Sequence, residues 1–160
     1  MIVLRNLSTT EFADYRAYFV ADYAREIISN YAETPARAEA IASADMDENF
    51  PAGVPAGANE LVGIDWVVGE VSTHVGYLWY TIDGPEHSAF ICDFYILAAQ
   101  RSRGYGRLTI DLFEAQLLAA GVTRLQLRVA HDNQRALRLY QEIGFFITGH
   151  NMLKRLASQA

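Results

Sequence analysis

The segment from Ser88 to Gly121 reads as a hydrophobic strand, a loop with two glycines and a helix, and this order limits the folds open to the chain. The loop is Arg101-Ser102-Arg103-Gly104-Tyr105-Gly106. Glycine lacks a Cβ, so a ligand can approach the backbone closely there. The free N–H groups of a first helical turn and the positive end of the helix dipole attract anions. With Arg107 just beyond, the segment predicts a site for a phosphorylated ligand.

Length and composition favour one compact domain over residues 1–160. The chain has 160 residues and is 51% hydrophobic, which is enough for a substantial core. No apolar run approaches the length of a membrane span, and the N-terminus lacks signal-peptide features, so we expect a cytoplasmic protein with no membrane partner. A single cysteine, Cys92, forms neither an internal disulfide nor a cysteine-based metal site, and the four histidines lack metal-ligand spacing. We expect no metal.

The charge is unevenly distributed along the chain. The net charge is −6, yet residues 100–160 carry 9 basic and 4 acidic groups, whereas residues 1–60 carry 4 and 10. The basic C-terminal third of the chain contains the predicted phosphate loop, and this favours an anionic cofactor. The acidic remainder favours a cationic substrate and argues against nucleic acid as a partner.

Local signals predict two helices and then a loop. Ser8-Thr9-Thr10-Glu11 has the spacing of a capping box and predicts a helix to about Tyr31. Thr34-Pro35 is typical of a helix start, and that second helix should end near Asp47. The segment Phe50–Gly57 contains two prolines and two glycines, so we expect a loop.

The rest of the chain predicts a sheet followed by alternating strands and helices. Short turns join the first three strands, so these should pair antiparallel. The fold class expected is mixed α/β (α+β type), with a mostly antiparallel central sheet, two N-terminal helices and a C-terminal βαβαβ unit. The predicted elements are strands Leu61–Val68, Val71–Ile82 and Ser88–Ile96, a helix from Leu108 ending before Gly121, strand Arg124–Val129, helix Asn133–Ile143 with Gly144 as its cap, and strand Phe145–Met152.

Two other kinds of glycine loop fit less well. A Walker loop needs Gly-Lys-Ser/Thr, but Gly106 is followed by Arg107-Leu108. In a dinucleotide-binding domain Asp132 could contact a ribose. Thr109, however, replaces the third glycine, and only 28 residues follow Asp132.

A second motif, in residues 133–145, extends the argument. Together with the glycine loop it resembles the GNAT (Gcn5-related) N-acetyltransferase superfamily over roughly residues 61–154. The loop pattern Gln/Arg-x-x-Gly-x-Gly/Ala is matched by Arg101, Gly104 and Gly106. The pattern Asn-x-x-Ala-x-x-Leu-Tyr-x-x-x-Gly-Phe is matched by Asn133, Ala136, Leu139, Tyr140, Gly144 and Phe145.

The resemblance implies acetyl-CoA as co-substrate and direct transfer of its acetyl group to the primary amine of a small molecule. A protein lysine or N-terminal amine is an alternative acceptor, and a non-catalytic acyl-CoA-binding sensor is an alternative role. The expected assembly is a monomer or homodimer. The implied cofactor-binding residues are Phe94, Tyr95 and Ile96 on the central strand, Arg101, Ser102, Arg103, Gly104, Tyr105, Gly106 and Arg107 in the loop, and Asn133, Arg135 and Tyr140.

The same resemblance implies that Tyr140 is the general acid that protonates the leaving thiolate. Asp93 is the candidate base, although it could instead be a hydrogen-bonded structural acid, and strand alternation predicts that it lies opposite Cys92 and Phe94. Where several relatives have an acid one residue before the valine of the next strand, this chain has Arg128 before Val129, so the resemblance leaves Asp93 or a water relay as the base. Tyr140 could also be a core residue, and Asn133 could act only as a helix cap.

The acceptor should lie beside the two N-terminal helices. We expect these helices and the loop at 50–57 to close over the amine. The acids at the end of the second helix, Asp45, Asp47 and Glu48, would attract its positive charge. His131, beside the implied pantetheine site, is the one histidine worth testing.

Overall fold

The computed structural model describes residues 1–156, so residues 157–160 of the predicted domain lie outside it. Five strands form one sheet in the order β1-β2-β3-β4-β5. The first four strands pair antiparallel, and β4 and β5 pair parallel. The mixed α/β fold class with a mostly antiparallel sheet is therefore confirmed. The strands are β1 (Ile2–Asn6), β2 (Asn59–Val68), β3 (Val71–Asp83), β4 (Ser88–Ile96) and β5 (Arg124–Leu127).

Four helices cover the two faces of the sheet. They are α1 (Thr9–Tyr31), α2 (Pro35–Asn49), α3 (Tyr105–Ala119) and α4 (Gln134–Glu142). The predicted capping box at the start of α1 forms, because Ser8 and Glu11 each accept from the other's backbone N–H. Thr34 caps α2 and Pro35 is its first residue. None of the helices in residues 1–156 has the length and apolar character needed to cross a membrane.

Each face of the sheet has its own core. Helix α3 packs Ile110, Phe113 and Leu117 against one face. Helices α1 and α2 pack a mainly aromatic cluster, which includes Tyr15 and Trp79, against the other. The sheet therefore separates two environments, and alternate side chains of β4 enter one or the other.

Two elements differ from the sequence prediction. Strand β1 was not predicted, because its five residues gain their pairing only from β2, some 60 residues later. The predicted strand Phe145–Met152 is wrong. The segment pairs with no strand and leaves Phe146 and Met152 exposed, and its continuation runs to the end of α1, where Arg155 donates to the Tyr31 and Ala32 carbonyls. The C-terminal unit is βαβα rather than βαβαβ.

Candidate active site

The glycine loop forms an open helix N-terminus. Gly104 is the N-cap of α3 with φ +82°, a left-handed conformation that favours glycine, and no side chain caps the helix. The first backbone bond into the helix runs from the Leu108 N–H to the Gly104 carbonyl, at 3.1 Å. The N–H groups of the first helical turn are therefore available to an anionic ligand.

The two loop glycines serve different purposes. A Cβ built at Gly104 would have no protein atom within 4 Å, so this position faces open space. A Cβ at Gly106 would lie 3.4 Å from Leu139 Cδ2 on α4. Gly104 supplies the backbone conformation and the open face, whereas Gly106 lets α3 pack closely beside α4.

The basic residues of this region have no acidic partner. Six basic side chains in residues 1–156 have no carboxylate oxygen within 4.0 Å, and five of them come from the loop, from α3 or from α4. Positive charge is thus left unneutralised where a phosphorylated ligand would add negative charge. These side chains are Arg101, Arg103, Arg107, Arg135, Arg138 and, further along, Lys154.

Arg101 is partly engaged in shaping the loop. Its Nε donates to the Ile96 carbonyl at 2.9 Å, and its guanidinium carbon lies 5.2 Å from the centre of the Tyr95 ring. Arg101 therefore folds the loop back onto the end of β4. Arg103 and Arg107 are exposed, and no such contacts hold them.

Strands β4 and β5 separate next to this loop. They pair only from Ser88 opposite Arg124 to Ile91 opposite Leu127, while β4 continues to Ile96. Beyond Ile91, β4 keeps its strand pairing with β3 alone within the described chain, so its other edge has no partner strand at Phe94 and Tyr95, while the Ile96 carbonyl accepts from Arg101. An open strand edge can hydrogen-bond an extended amide-containing ligand.

A β-bulge in β4 sets the direction of Asp93. In the register with β3, Trp79 lies opposite Asp93 and Tyr80 opposite Ile91, which leaves Cys92 without a partner. The extra residue changes the alternation, so Ile91 and Phe94 both face the α3 core. Asp93 faces α1 instead. The expectation that it lies opposite Phe94 holds, but the expectation that it lies opposite Cys92 is wrong, because the bulge places both Cys92 and Asp93 between Ile91 and Phe94, which face α3.

Two tyrosines of α1 hold the Asp93 carboxylate. The Tyr15 hydroxyl donates to it at 3.0 Å and the Tyr18 hydroxyl at 3.4 Å. Burial raises the pKa of Asp93 to about 7, although the hydrogen bonds from these tyrosines lower it. A carboxyl with this pKa is divided between its two protonation states at neutral pH.

Sequence reasoning missed Tyr15 and Tyr18 as partners of Asp93. A buried tyrosine hydroxyl needs a hydrogen-bond partner, and Tyr15 lies on the apolar stripe of α1. That requirement is the sequence signal that could have led to Asp93. Tyr18 also stacks on Tyr95, with ring centres 3.7 Å apart, and so connects α1 with the end of β4.

Tyr140 approaches from the other side, on α4. The residue is 8% exposed, and its ring packs edge-on against Phe145 at 5.4 Å. Burial raises the pKa of Tyr140, and the negative charge of Asp93 raises it further. Tyr140 therefore lies within reach of the Asp93 charge.

The remaining predicted cofactor residues fall into two groups. Asn133 caps α4, accepting from the Ala136 N–H at 3.2 Å, and an Arg135 guanidinium nitrogen lies 3.5 Å from Ser102 Oγ in the loop. The Tyr105 ring packs on Trp66 with ring centres 5.2 Å apart, so only its backbone faces the anion site. Asn133 therefore has the cap role that the sequence left open, and its side-chain nitrogen remains available to a ligand.

Acidic side chains lie around Asp93 on the α1 and α2 side. The charges of Asp22 and Asp45 act on Asp93 and on Cys92, respectively. Asp47 pairs with Arg16 at 2.9 Å, and Asp22 pairs with Arg25 at 2.7 Å. Asp45 is therefore the member of the predicted acidic group that faces the catalytic side.

A cavity of about 390 Å³ lies between α1, α2 and the C-terminal segment. The cavity is lined by Tyr23, Ile27, Tyr31, Glu33, Ile41, Leu153 and Arg155. The loop at 50–57 lies elsewhere and packs against the start of α1, with the Phe50 and Phe12 rings 5.7 Å apart.

No metal site is evident in the described part of the chain. Within residues 1–156 no group of three or more His, Cys, Asp or Glu side chains is arranged to hold a metal ion.

Comparison with known proteins gives a consistent result. The model of the Acetyltransferase (GNAT) family matches residues 25–145. The chain is 28% identical to the uncharacterized N-acetyltransferase YycN of Bacillus subtilis over 97% of its own length and 99% of that protein. The YycN crystal structure superposes with a TM-score of 0.86 at 27% identity, covering 99% of this chain and all of that one. The spermidine N-acetyltransferase of Vibrio cholerae, in complex with CoA and spermine, shares the fold, with a TM-score of 0.64 at 19% identity, over 93% of this chain and 83% of that one.

Proposed function

The chain belongs to the Acetyltransferase (GNAT) family, and on this premise we propose that it transfers an acetyl group from acetyl-CoA to the primary amine of a small molecule. One observation carries the proposal. Arginines with no carboxylate partner in residues 1–156 lie in and beside the loop at the uncapped N-terminus of α3, and this loop follows the strand that carries Asp93. This arrangement supports an anion site close to the proposed base.

The cofactor would bind along the open edge of β4. Its amide-containing arm would pair with the backbone at 94–96, and its pyrophosphate would receive the first N–H groups of α3. Arg103 and Arg107 are free to neutralise phosphate charge. Asn133 and Arg135 approach the same region from α4.

Asp93 is proposed as the general base. An amine is protonated at neutral pH and must lose a proton before its nitrogen can attack the acetyl carbonyl. A base is most effective when its pKa lies near the working pH, and burial brings the pKa of Asp93 to about 7. The hydrogen bonds from Tyr15 and Tyr18 would hold the carboxylate in place for this transfer.

Tyr140 is proposed as the general acid. As the carbon–nitrogen bond forms and the carbon–sulfur bond breaks, the phenol would give its proton to the departing sulfur. The ionised Asp93 raises the pKa of Tyr140 and keeps the phenol protonated beforehand. Once Asp93 has taken the proton of the ammonium group, its charge is gone and Tyr140 becomes a stronger acid, at the moment when the thiolate needs a proton. The nitrogen would lose its second proton to water as the amide forms, and the Tyr140 phenolate would regain a proton from water before the next turnover.

The acceptor is proposed to be cationic. Asp45 lies on the α1 and α2 side with no arginine partner among the described residues, and its negative charge would attract an ammonium group. The V. cholerae protein of the same fold was solved with spermine, so polyamines are a sensible first group of amines to test. We also propose that the whole chain forms one catalytic domain, acting as a monomer or homodimer.

The decisive experiment measures thiol release from acetyl-CoA with a panel of small amines, including polyamines and amino acids, alongside a lysine peptide and an N-terminal peptide. Release with a small amine would support the proposal. Preference for a peptide would instead indicate a protein acetyltransferase. Binding of acetyl-CoA without transfer to any amine would favour the non-catalytic sensor.

A further inference from the structure

The loop between β5 and α4 is fastened to the C-terminal half of α1. Directly after β5, Arg128 donates to Glu26 Oε1 at 2.5 Å and to the Tyr31 hydroxyl at 2.9 Å. Four residues later, the Asp132 carboxylate accepts from Ser29 Oγ at 2.6 Å and from Asn30 Nδ2 at 3.2 Å. We call these two anchors, Arg128 and Asp132 with their α1 partners, the α1 clamp.

The clamp connects the elements that carry Asp93 and Tyr140. Helix α1 holds the Asp93 carboxylate through Tyr15 and Tyr18. Helix α4 begins directly after Asp132, with Asn133 as its cap, and carries Tyr140. Asp93 and Tyr140 are therefore connected through α1, the α1 clamp and α4, as well as through the sheet.

Helix α4 has little else to hold it. Tyr140 is the only buried residue among its nine. Its other links in the described chain include the packing of Leu139 beside Gly106 and the weak approach of Arg135 to Ser102. A short helix with so little buried surface depends on its anchors for a defined position.

We propose that Arg128 and Asp132 are positioning residues for catalysis, which set the place of Tyr140 relative to Asp93. The inference rests on the proposed function, since it needs Tyr140 as acid and Asp93 as base. A displacement of the acid by about 1 Å can cost about a hundredfold in rate, far more than a partly exposed ion pair contributes to stability.

The test compares Arg128→Met with Arg124→Met. Arg124 begins the same strand and pairs with Glu86 at 3.2 Å, away from α1 and α4, so it controls for the loss of an arginine from β5. We expect Arg128→Met to reduce the single-turnover rate at least about tenfold, with KM for acetyl-CoA changed less than about twofold. Arg124→Met should keep the parent rate. Equal rates for the two variants would overturn the proposal.

A double-mutant cycle identifies the residue through which the clamp acts. If Arg128 works by positioning Tyr140, then Arg128→Met should have almost no further effect on the rate of the Tyr140→Phe variant. Fully additive losses would mean that the clamp acts elsewhere and would reject the inference. Asp132→Asn should behave as Arg128→Met does, with a smaller loss, since an amide still accepts one hydrogen bond.

A spectroscopic measurement without turnover separates failure of this inference from failure of the proposed function. The Tyr140 ring can be followed by carbon NMR in the protein alone, and its chemical shifts depend on its packing against the Phe145 ring. Releasing the clamp in Arg128→Met should shift the Tyr140 ring resonances, while Arg124→Met should leave them unchanged. Unchanged Tyr140 resonances in Arg128→Met would refute the positioning role, whether or not any amine is acetylated.

Discussion

The Tyr15 hydroxyl donates a 3.0 Å hydrogen bond to the Asp93 carboxylate, from a helix 78 residues earlier in the chain. The tyrosine is fully buried and the carboxyl is partly buried. Burial raises the pKa of the Tyr15 phenol, so it remains a donor throughout the range in which Asp93 titrates. This contact supports the ionised form of Asp93 in surroundings that otherwise disfavour charge.

Replacing Asp93 with Asn should remove the base and its pH dependence together. In the parent, kcat/KM should rise with pH as Asp93 loses its proton near pH 7. In Asp93→Asn the rate should fall about 10²-fold or more, and the rise near pH 7 should disappear. Rate profiles from pH 5.5 to 9 give the answer. If kcat/KM of Asp93→Asn still rose near pH 7, the titrating group would be a residue other than Asp93.

Asp93→Asn should lower the rate but raise the stability of the fold at high pH. Because the folded pKa of about 7 lies above the ordinary value of 3.8, the native state binds more protons than the unfolded state between these values. Stability therefore falls as pH rises through this window. Asp93→Asn should be more stable than the parent at pH 8, by on the order of 2 to 4 kcal/mol, with the advantage lost below about pH 4. Urea unfolding at the two pH values tests this.

Tyr140→Phe removes one hydroxyl and keeps the packing of the ring against Phe145. If the phenol protonates the thiolate, the single-turnover rate should fall about 10²-fold or more, while acetyl-CoA affinity stays nearly constant. Tyr105→Phe is the matched control, because its ring packs on Trp66 in the same region. If Tyr140→Phe kept the single-turnover rate of the parent, Tyr140 would have only a packing role in the core.

Gly104→Ala should separate ligand binding from backbone strain. Alanine at φ +82° costs about 1 to 2 kcal/mol, and its methyl group would point into the open space left for the ligand. Gly57→Ala is the control, since Gly57 also has positive φ (+63°), has open surroundings and lies far from the loop in the chain. Both variants should lose similar stability. Only Gly104→Ala should lose the thermal shift with CoA, which is worth about 2.7 kcal/mol at a hundredfold excess over Kd.

Asp45→Asn should weaken binding of a cationic acceptor. Its charge reaches Cys92 on the catalytic side of β4, whereas Asp47 is exposed and paired with Arg16. We expect KM for a polyamine to rise several-fold in Asp45→Asn, with little change for acetyl-CoA, and the effect to shrink at high salt. Asp47→Asn should change neither constant. Identical behaviour of the two variants would remove Asp45 from the acceptor site.

Local sequence signals predicted most of the fold. Capping residues such as Ser8 and Thr34 act within a few positions, so they mark helix starts without knowledge of the rest of the chain. Pairing of strands is not local. β1 was missed because its partner lies 60 residues away, and the strand at 145–152 was predicted from β-prone side chains that find no partner strand in the described chain.

The predicted site residues occupy one region, but their relationships came only from the structure. The motif led to Tyr140 and the glycine loop because it is contiguous in sequence. The hydrogen bonds from Tyr15 to Asp93 and from Arg128 to α1 join residues about 80 and 100 positions apart. Simple alternation also failed at Cys92, since nothing in the residue types of β4 marks the bulge.

The unpaired Cys92 makes the site depend on the register of β4 as well as on its composition. If β4 paired with β3 without the bulge, alternation from Ile91 would turn Asp93 toward the apolar α3 side and away from Tyr15 and Tyr18. Every side chain of the proposed machinery would still be present. Two chains could therefore share all these side chains and still differ in competence through the pairing of a single strand.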